Sequence, residues 1–209
     1  MGDTRGRNGT DNIFQEALKQ RLKQILAQRQ KVRIVDARRL PAAVIIPLYV
    51  KEGEYHILLT KRTERVKDHK GQISFPGGAY EREDMTLRNT ALRECAEEIG
   101  IAPEAVESLG ELDDVVTFTS DYIISPFVDI IPWPYALKTE EREIEEIIEV
   151  PISALLQRDC LRQESIVLNG QPATAYFYTY GDKVIWGATA RILNQFLRIW
   201  SEAAAEGTK

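Results

Sequence analysis

Cysteine and histidine are nearly missing from this sequence: its 209 residues hold two of each. Cys95 and Cys160 lie far apart and in no paired motif, which excludes a disulfide framework and a cysteine-built zinc site. His56 and His69 are too few for a His-rich metal centre. Cysteine this sparse predicts a reducing, cytoplasmic compartment. Long apolar runs are missing as well. The longest, Pro41 to Val50, has the length of a strand and falls far short of a membrane span. The opening MGDTRGRNGT has no apolar stretch of the kind a secretory signal carries. It begins Met-Gly, but Gly6 stands where a myristoylation signal needs Ser or Thr. Excess positive charge is absent too. A net charge of −5 argues against general affinity for nucleic-acid backbones. A phosphorylated small molecule remains open as a ligand, because a local cation or basic cluster can override net charge.

What is present suits one soluble domain. The sequence shows no repeat, low-complexity tract or linker that would divide it. Residues 1–10 offer nothing to bury and predict a disordered tail, with a single domain over 11–205. From residue 11 to 30, Ile13, Ala17, Leu18, Leu22, Ile25 and Leu26 recur at helical spacing. The amphipathic helix they predict either covers a face of the domain or serves as a homodimer contact. Pro41 to Val50 and Tyr55 to Arg62 read as two strands of a hairpin around Gly53. Gln72 to Phe75 is a third, short strand. Val106 to Leu112, Val115 to Phe118 and Tyr122 to Ile131 are strand-like. Thr139 to Val150, with glutamates at 140, 141, 143, 145, 146 and 149, has a period that fits strand or helix. Asn169-Gly170 marks a hairpin between Glu164–Leu168 and Ala173–Tyr178. From Ile185 onward, Ile192, Leu193, Phe196, Leu197 and Trp200 predict a C-terminal helix with one apolar face. Strands mixed with helices place the fold in the α/β (α+β) class.

Chemistry concentrates between Lys61 and Ile101. Residues three and four apart share a helix face, so Glu94, Glu97 and Glu98 point one way, and Leu92, Cys95 and Ile99 the other. Like charges at this spacing repel by roughly 0.2–0.5 kcal/mol per pair on an exposed helix. Three together make sense against a hard divalent cation, Mg²⁺ above all. The helix is expected to begin near Asp84 as its cap and to end at Gly100 in the left-handed conformation. Upstream, Lys61, Arg62, Arg65, Lys67 and Lys70 form a basic run leading into Gly77-Gly78. Such a run is either a solvated loop or a cradle for anionic phosphates. Ser74 with His69 makes a poor hydrolytic triad, because Ser74 sits in a buried strand without a nucleophile elbow. Cys95 reads as core.

These residues carry a resemblance. Arg93-Glu94-Cys95-Ala96-Glu97-Glu98-Ile99-Gly100-Ile101 resembles the second half of the box that defines the Nudix hydrolases. Gly78 and Asp84 stand where that box has its leading glycine and an acidic residue. Eight residues separate Asp84 from Arg93, where the usual box has seven, and the acid is Asp rather than Glu. The stretch from Leu59 through His69 and Lys70 to Gly78 is similar to the signature of the coenzyme A pyrophosphatase branch, with Val66 for the usual Leu or Met. Ile185 to Leu193 resembles that branch's C-terminal helix start. The resemblance spans roughly residues 42–197. It implies a Nudix fold, a central mixed sheet between helices. It also implies metal-dependent hydrolysis of coenzyme A or its derivatives to 3′,5′-ADP and 4′-phosphopantetheine. Mg²⁺ or Mn²⁺ would be held by Glu94, Glu97, Glu98 and the Gly78 carbonyl, with Arg93 orienting a glutamate. Lys61, Arg62, Arg65, His69 and Lys70 become candidates to bind substrate. Two alternatives are the same chemistry on another nucleoside diphosphate derivative and a non-catalytic nucleotide sensor. The general base is one of the box glutamates or one of Glu140 to Glu149.

Overall fold

The computed structural model describes residues 5–63, 71–118, 120–137, 142–168 and 170–205, with side chains from residue 12 onward. Arg65, His69, Lys70, Glu140 and Glu141 lie outside the described residues. Helix α1 runs over Arg5–Gln28. It begins within the stretch expected as a tail, because extending a helix from a packed segment costs little once it is nucleated. Among its described side chains Leu18, Leu22 and Leu26, four residues apart, are buried, whereas Ile13 at its start is exposed.

Strands β1 (Leu40–Lys51) and β2 (Glu54–Arg62) form the expected hairpin, with Lys51 opposite Glu54. Strand β3 is Ile73–Ser74 and β4 is Gly77–Ala79. After them come α2 (Leu87–Ile99), β5 (Glu107–Glu111), β6 (Val115–Val116) and β7 (Tyr122–Ile130). The ambiguous acidic segment is a strand, β8 (Ile144–Pro151), followed by the short helix α3 (Ile152–Leu155). Strands β9 (Leu161–Leu168) and β10 (Gln171–Tyr180) form the second predicted hairpin. Strand β11 (Lys183–Ile185) and helix α4 (Gly187–Ala205) complete the chain.

The main sheet runs β3-β2-β1-β7-β5, with β4 on β1, β6 on β7 and β8 on β2. It is mixed: β1 and β7 are parallel from Leu40 opposite Tyr122 to Leu48 opposite Ile130, and their other neighbours are antiparallel. Strand β1 is buried on both faces, and its alternation assigns them. Ala43, Ile45 and Tyr49 pack with Ala91, Cys95 and Ile99 of α2. Ile46 and Leu48 face the larger core of α1 and α4. The antiparallel sheet β11-β10-β9 stands beside this body. Arg88 fastens α2 to the sheet. Its Nη1 donates to the fully buried Asp129 of β7 at 2.5 Å, and its guanidinium lies 5.4 Å from the Phe127 ring centre.

Candidate active site

Four elements meet at one end of β1. Strand β4 lies against β1 with Gly78 opposite Ala43 and Gly77 opposite Val44. Neither glycine has room for a side chain. A Cβ on Gly77, whose φ is +153°, would fall 2.3 Å from the Ala43 carbonyl oxygen. One on Gly78 would fall 2.4 Å from Glu94 Oε1. The Gly-Gly turn thus lets the backbone of β4 press directly on a carboxylate of α2.

Helix α2 begins two residues later than expected. Its cap is Thr86, whose hydroxyl accepts from the Asn89 amide, and Gly100 closes it with φ +77°. Asp84 is not the cap, because its carboxylate is fully engaged elsewhere. It ends a 3₁₀ turn (Arg82–Asp84), is buried, and accepts from Arg93 Nε (2.8 Å), Arg93 Nη2 (3.1 Å), Thr90 Oγ1 (2.8 Å) and the Glu81 amide (3.0 Å). Met85, which follows Asp84, is exposed and left-handed at φ +62°. Arg93 is a hub. Beyond Asp84, its Nη1 donates to Glu94 Oε1 (2.9 Å) and Glu97 Oε2 (3.0 Å), and its Nη2 donates to the Ala79 carbonyl (3.2 Å). The Arg93 guanidinium holds the Asp84 carboxyl well below the usual range.

The three box glutamates do not share one environment. Glu97 is exposed, its side chain 61% accessible, while Glu98 is 3% exposed. The buried stripe of α2 runs through Ala91, Cys95, Glu98 and Ile99 rather than through Leu92, since positions 91, 95 and 98 follow one another at helical spacing. Glu98 therefore points under β4 and is buried with Cys95 and Ile99, which helical spacing sets on the opposite side. It accepts from the Gly77 amide at 3.3 Å and from Arg62 Nη1 at 3.4 Å. Burial outweighs these two long contacts and pushes its carboxyl up to about 8. Burial also raises Glu94, against the pull of Arg93.

The acidic segment before β8 supplies a fourth carboxylate. Arg62 Nη2 donates to Glu143 at 3.4 Å, so Arg62 bridges Glu98 and Glu143. A cleft of about 410 Å³ is lined by Glu94, Glu97, Glu98, Arg142 and Glu143. The glutamates of β8 itself go elsewhere: Glu145 to Lys61, Glu146 to Lys183 and Glu149 to Lys51. Of the basic residues expected to bind substrate, Arg62 reaches the cleft carboxylates, whereas Lys61 is spent on Glu145. Among the described residues no three Asp, Glu, His or Cys side chains already converge as a cation cage. Arginines engage the box carboxylates instead: Arg93 holds Glu94 and Glu97, and Arg62 holds Glu98.

The pattern of the NUDIX domain matches residues 38–168. The chain belongs to the Nudix family. Its curated Nudix relatives include a protein of Photorhabdus laumondii named uncharacterized Nudix hydrolase NudL. That protein is 35% identical over 154 residues, 74% of this chain and 81% of its own length. A NudL of Enterobacter sp. is 34% identical over 172 residues, 82% of this chain and 88% of its own. A solved MutT/nudix family protein from Enterococcus faecalis superposes with a TM-score of 0.55 over 96% of this chain and 76% of that one, at 14% identity, which bears on the fold alone. The mixed sheet between α2 on one side and α1 with α4 on the other is the Nudix fold. In this Nudix chain, the box supplies both the Arg93 hub and three of the cleft carboxylates.

Proposed function

We propose that the protein is a metal-dependent hydrolase that opens the diphosphate of a nucleoside diphosphate derivative, with coenzyme A or its acyl and oxidised forms as the substrate. The observation that carries this reading is the cleft itself: four carboxylates from two elements around one space, edged by Arg62, with Glu98 buried beyond what its partners compensate. That donor set fits a hard cation. All its atoms are carboxylate oxygens, and the missing Cβ of Gly78 leaves the backbone beside Glu94 accessible. Glu94, Glu97 and Glu98, with the Gly78 carbonyl, would hold Mg²⁺ or Mn²⁺. Such an ion, when bound, neutralises the phosphoryl oxygens and lowers the pKa of a water.

The chain's own residues supply the rest. Arg93, anchored by Asp84 and Ala79, fixes where Glu94 and Glu97 stand. Glu143 comes from a separate arm and is free of Arg93, so it accepts the proton of the attacking water. One phosphoryl group gains the water oxygen, and the other departs on the bridging oxygen with the electron pair of the broken P–O bond. Arg62 exchanges its two long carboxylate contacts for the substrate's phosphoryl oxygens, which a guanidinium binds in a fork. The coenzyme A preference rests on the similarity of residues 59–78 and 185–193 to that branch.

The test is a parallel assay of the purified protein with Mg²⁺ or Mn²⁺ against coenzyme A, ADP-ribose, NADH and a nucleoside triphosphate, with products separated by chromatography. Release of 3′,5′-ADP from coenzyme A, faster than any other cleavage, is expected. Clear cleavage of another compound with coenzyme A untouched would overturn the coenzyme A preference. Binding of all four without cleavage would leave a nucleotide-sensing module.

A further inference from the structure

One hydroxyl, just beyond the end of β2, holds the arm that carries Glu143. Thr63 is buried, 8% exposed. Its amide donates to the Glu143 carbonyl at 2.8 Å, and its Oγ1 donates to the Arg142 carbonyl at 2.8 Å. The two bonds grip consecutive peptide units, so they set both the position and the rotation of the backbone from which Arg142 and Glu143 extend into the cleft. Strand β8 proper begins at Ile144, opposite Arg62, and the ladder there has a register shift between Lys61 and Arg62. Regular pairing therefore gives out just where Glu143 must be aimed, and Thr63 takes over from it. The side chain of Glu143 adds one long bond to Arg62, which is itself shared with Glu98, too weak a tether to orient the arm alone.

We propose that Thr63 is a positioning residue for hydrolysis, acting through its Oγ1–Arg142 carbonyl bond to place Glu143 across the cleft from the α2 glutamates. This deepens the reading above and rests on it for the role of Glu143. A hydroxyl is required rather than bulk, since a valine of the same shape keeps the amide bond and loses the bond to the Arg142 carbonyl. The arm then retains one of its two grips and turns about it.

The experiment is a double-mutant cycle with a conservative rescue, built from Thr63→Val, Thr63→Ser, Glu143→Gln and the double variant Thr63→Val/Glu143→Gln. Thr63→Val should lower kcat about tenfold, the effect of one lost positioning hydrogen bond, and Thr63→Ser should recover most of it. In the Glu143→Gln background the valine should cost less than about twofold, because an arm whose carboxylate is gone has nothing left to place. Equal losses in both backgrounds, an unchanged kcat in Thr63→Val, or full activity in Glu143→Gln would each overturn the proposal. Hydrogen–deuterium exchange over residues 142–144 reads the arm without substrate. Faster exchange in Thr63→Val than in Thr63→Ser is expected, and equal exchange would overturn the clamp. A wild type inactive on all four compounds would sink the hydrolase reading, while exchange would still judge the clamp.

Discussion

Two buried acid–arginine pairs flank helix α2. Before its first turn, Asp84 receives two short bonds from Arg93 and further bonds from Thr90 and the Glu81 amide. In its last turn, Glu98 receives two long ones, from Arg62 and the Gly77 amide. Both carboxylates are nearly inaccessible. Desolvation therefore opposes the charge of each, and bonding decides the outcome. Around Asp84 the bonding wins and the carboxyl stays ionised to low pH. Around Glu98 burial wins and the carboxyl rises to about 8. A satisfied pair is a fastening. A weakly bonded one lying in a cleft beside three other carboxylates is where a cation or substrate gains most by binding.

Arg93→Ala should break the satisfied pair with the largest effect. It strands the buried Asp84 and releases Glu94 and Glu97, so stability should fall by about 3–5 kcal/mol, read as a lower urea midpoint, with activity lost alongside. A stability change under about 1 kcal/mol would mean that Asp84 is not held as described. Glu98→Gln should behave in the opposite way. Activity should drop roughly a hundredfold or more, while stability at pH 7 stays within about 1 kcal/mol, because a neutral amide suits that burial better than a carboxylate does.

The same contrast has a pH signature. The Glu98 carboxyl moves from an ordinary 4.5 to about 8 on folding. Between those values the folded protein holds a proton that the unfolded chain has released, so stability falls as pH rises, by up to about 1.4 kcal/mol per pH unit. Asp84 runs the other way: its contribution is present above the unfolded carboxylate value and is lost on acidification. Urea melts in chelator from pH 3 to 9 should show both limbs, with Glu98→Gln flattening only the upper one. An upper limb unchanged in Glu98→Gln would place that titration elsewhere. The smallest effect should come from Gly78→Ala. Its Cβ meets the flexible end of Glu94, so the carboxylate shifts and activity falls on the order of tenfold to a hundredfold. Stability should change by less than about 1 kcal/mol. Gly77→Ala meets backbone instead and should cost about 1–3 kcal/mol. Equal melting behaviour of the two variants would sink this distinction.

Much of the fold was legible from local pattern. Both hairpins, the apolar strand β1, the C-terminal helix and the Gly100 stop were readable because turn chemistry and side-chain period act over a few residues. The cleft was half legible. Arg93, Glu94, Glu97 and Glu98 stood together in one box, and Gly78 stood ahead of it. The start of α2 was misplaced at Asp84 because a good cap residue and a buried ion partner look alike until Arg93 is seen beside it. Glu98 was grouped with Glu94 and Glu97, opposite the residues expected to be buried, because helical spacing gives direction and not depth.

The sequence by itself determined most of the elements and the three box carboxylates, since these depend on residues within one turn or one strand of each other, and the box with its upstream signature pointed to the family. Only the tertiary structure decided which carboxylate is buried, which glutamate of the segment before β8 faces the cleft, and which arginine spans it. Those outcomes depend on β4 lying on α2 and on Thr63 gripping residues 142 and 143, contacts between positions roughly 16 to 80 residues apart. Desolvation and hydrogen bonding at that range are properties of packing, and packing exists only once the chain has folded.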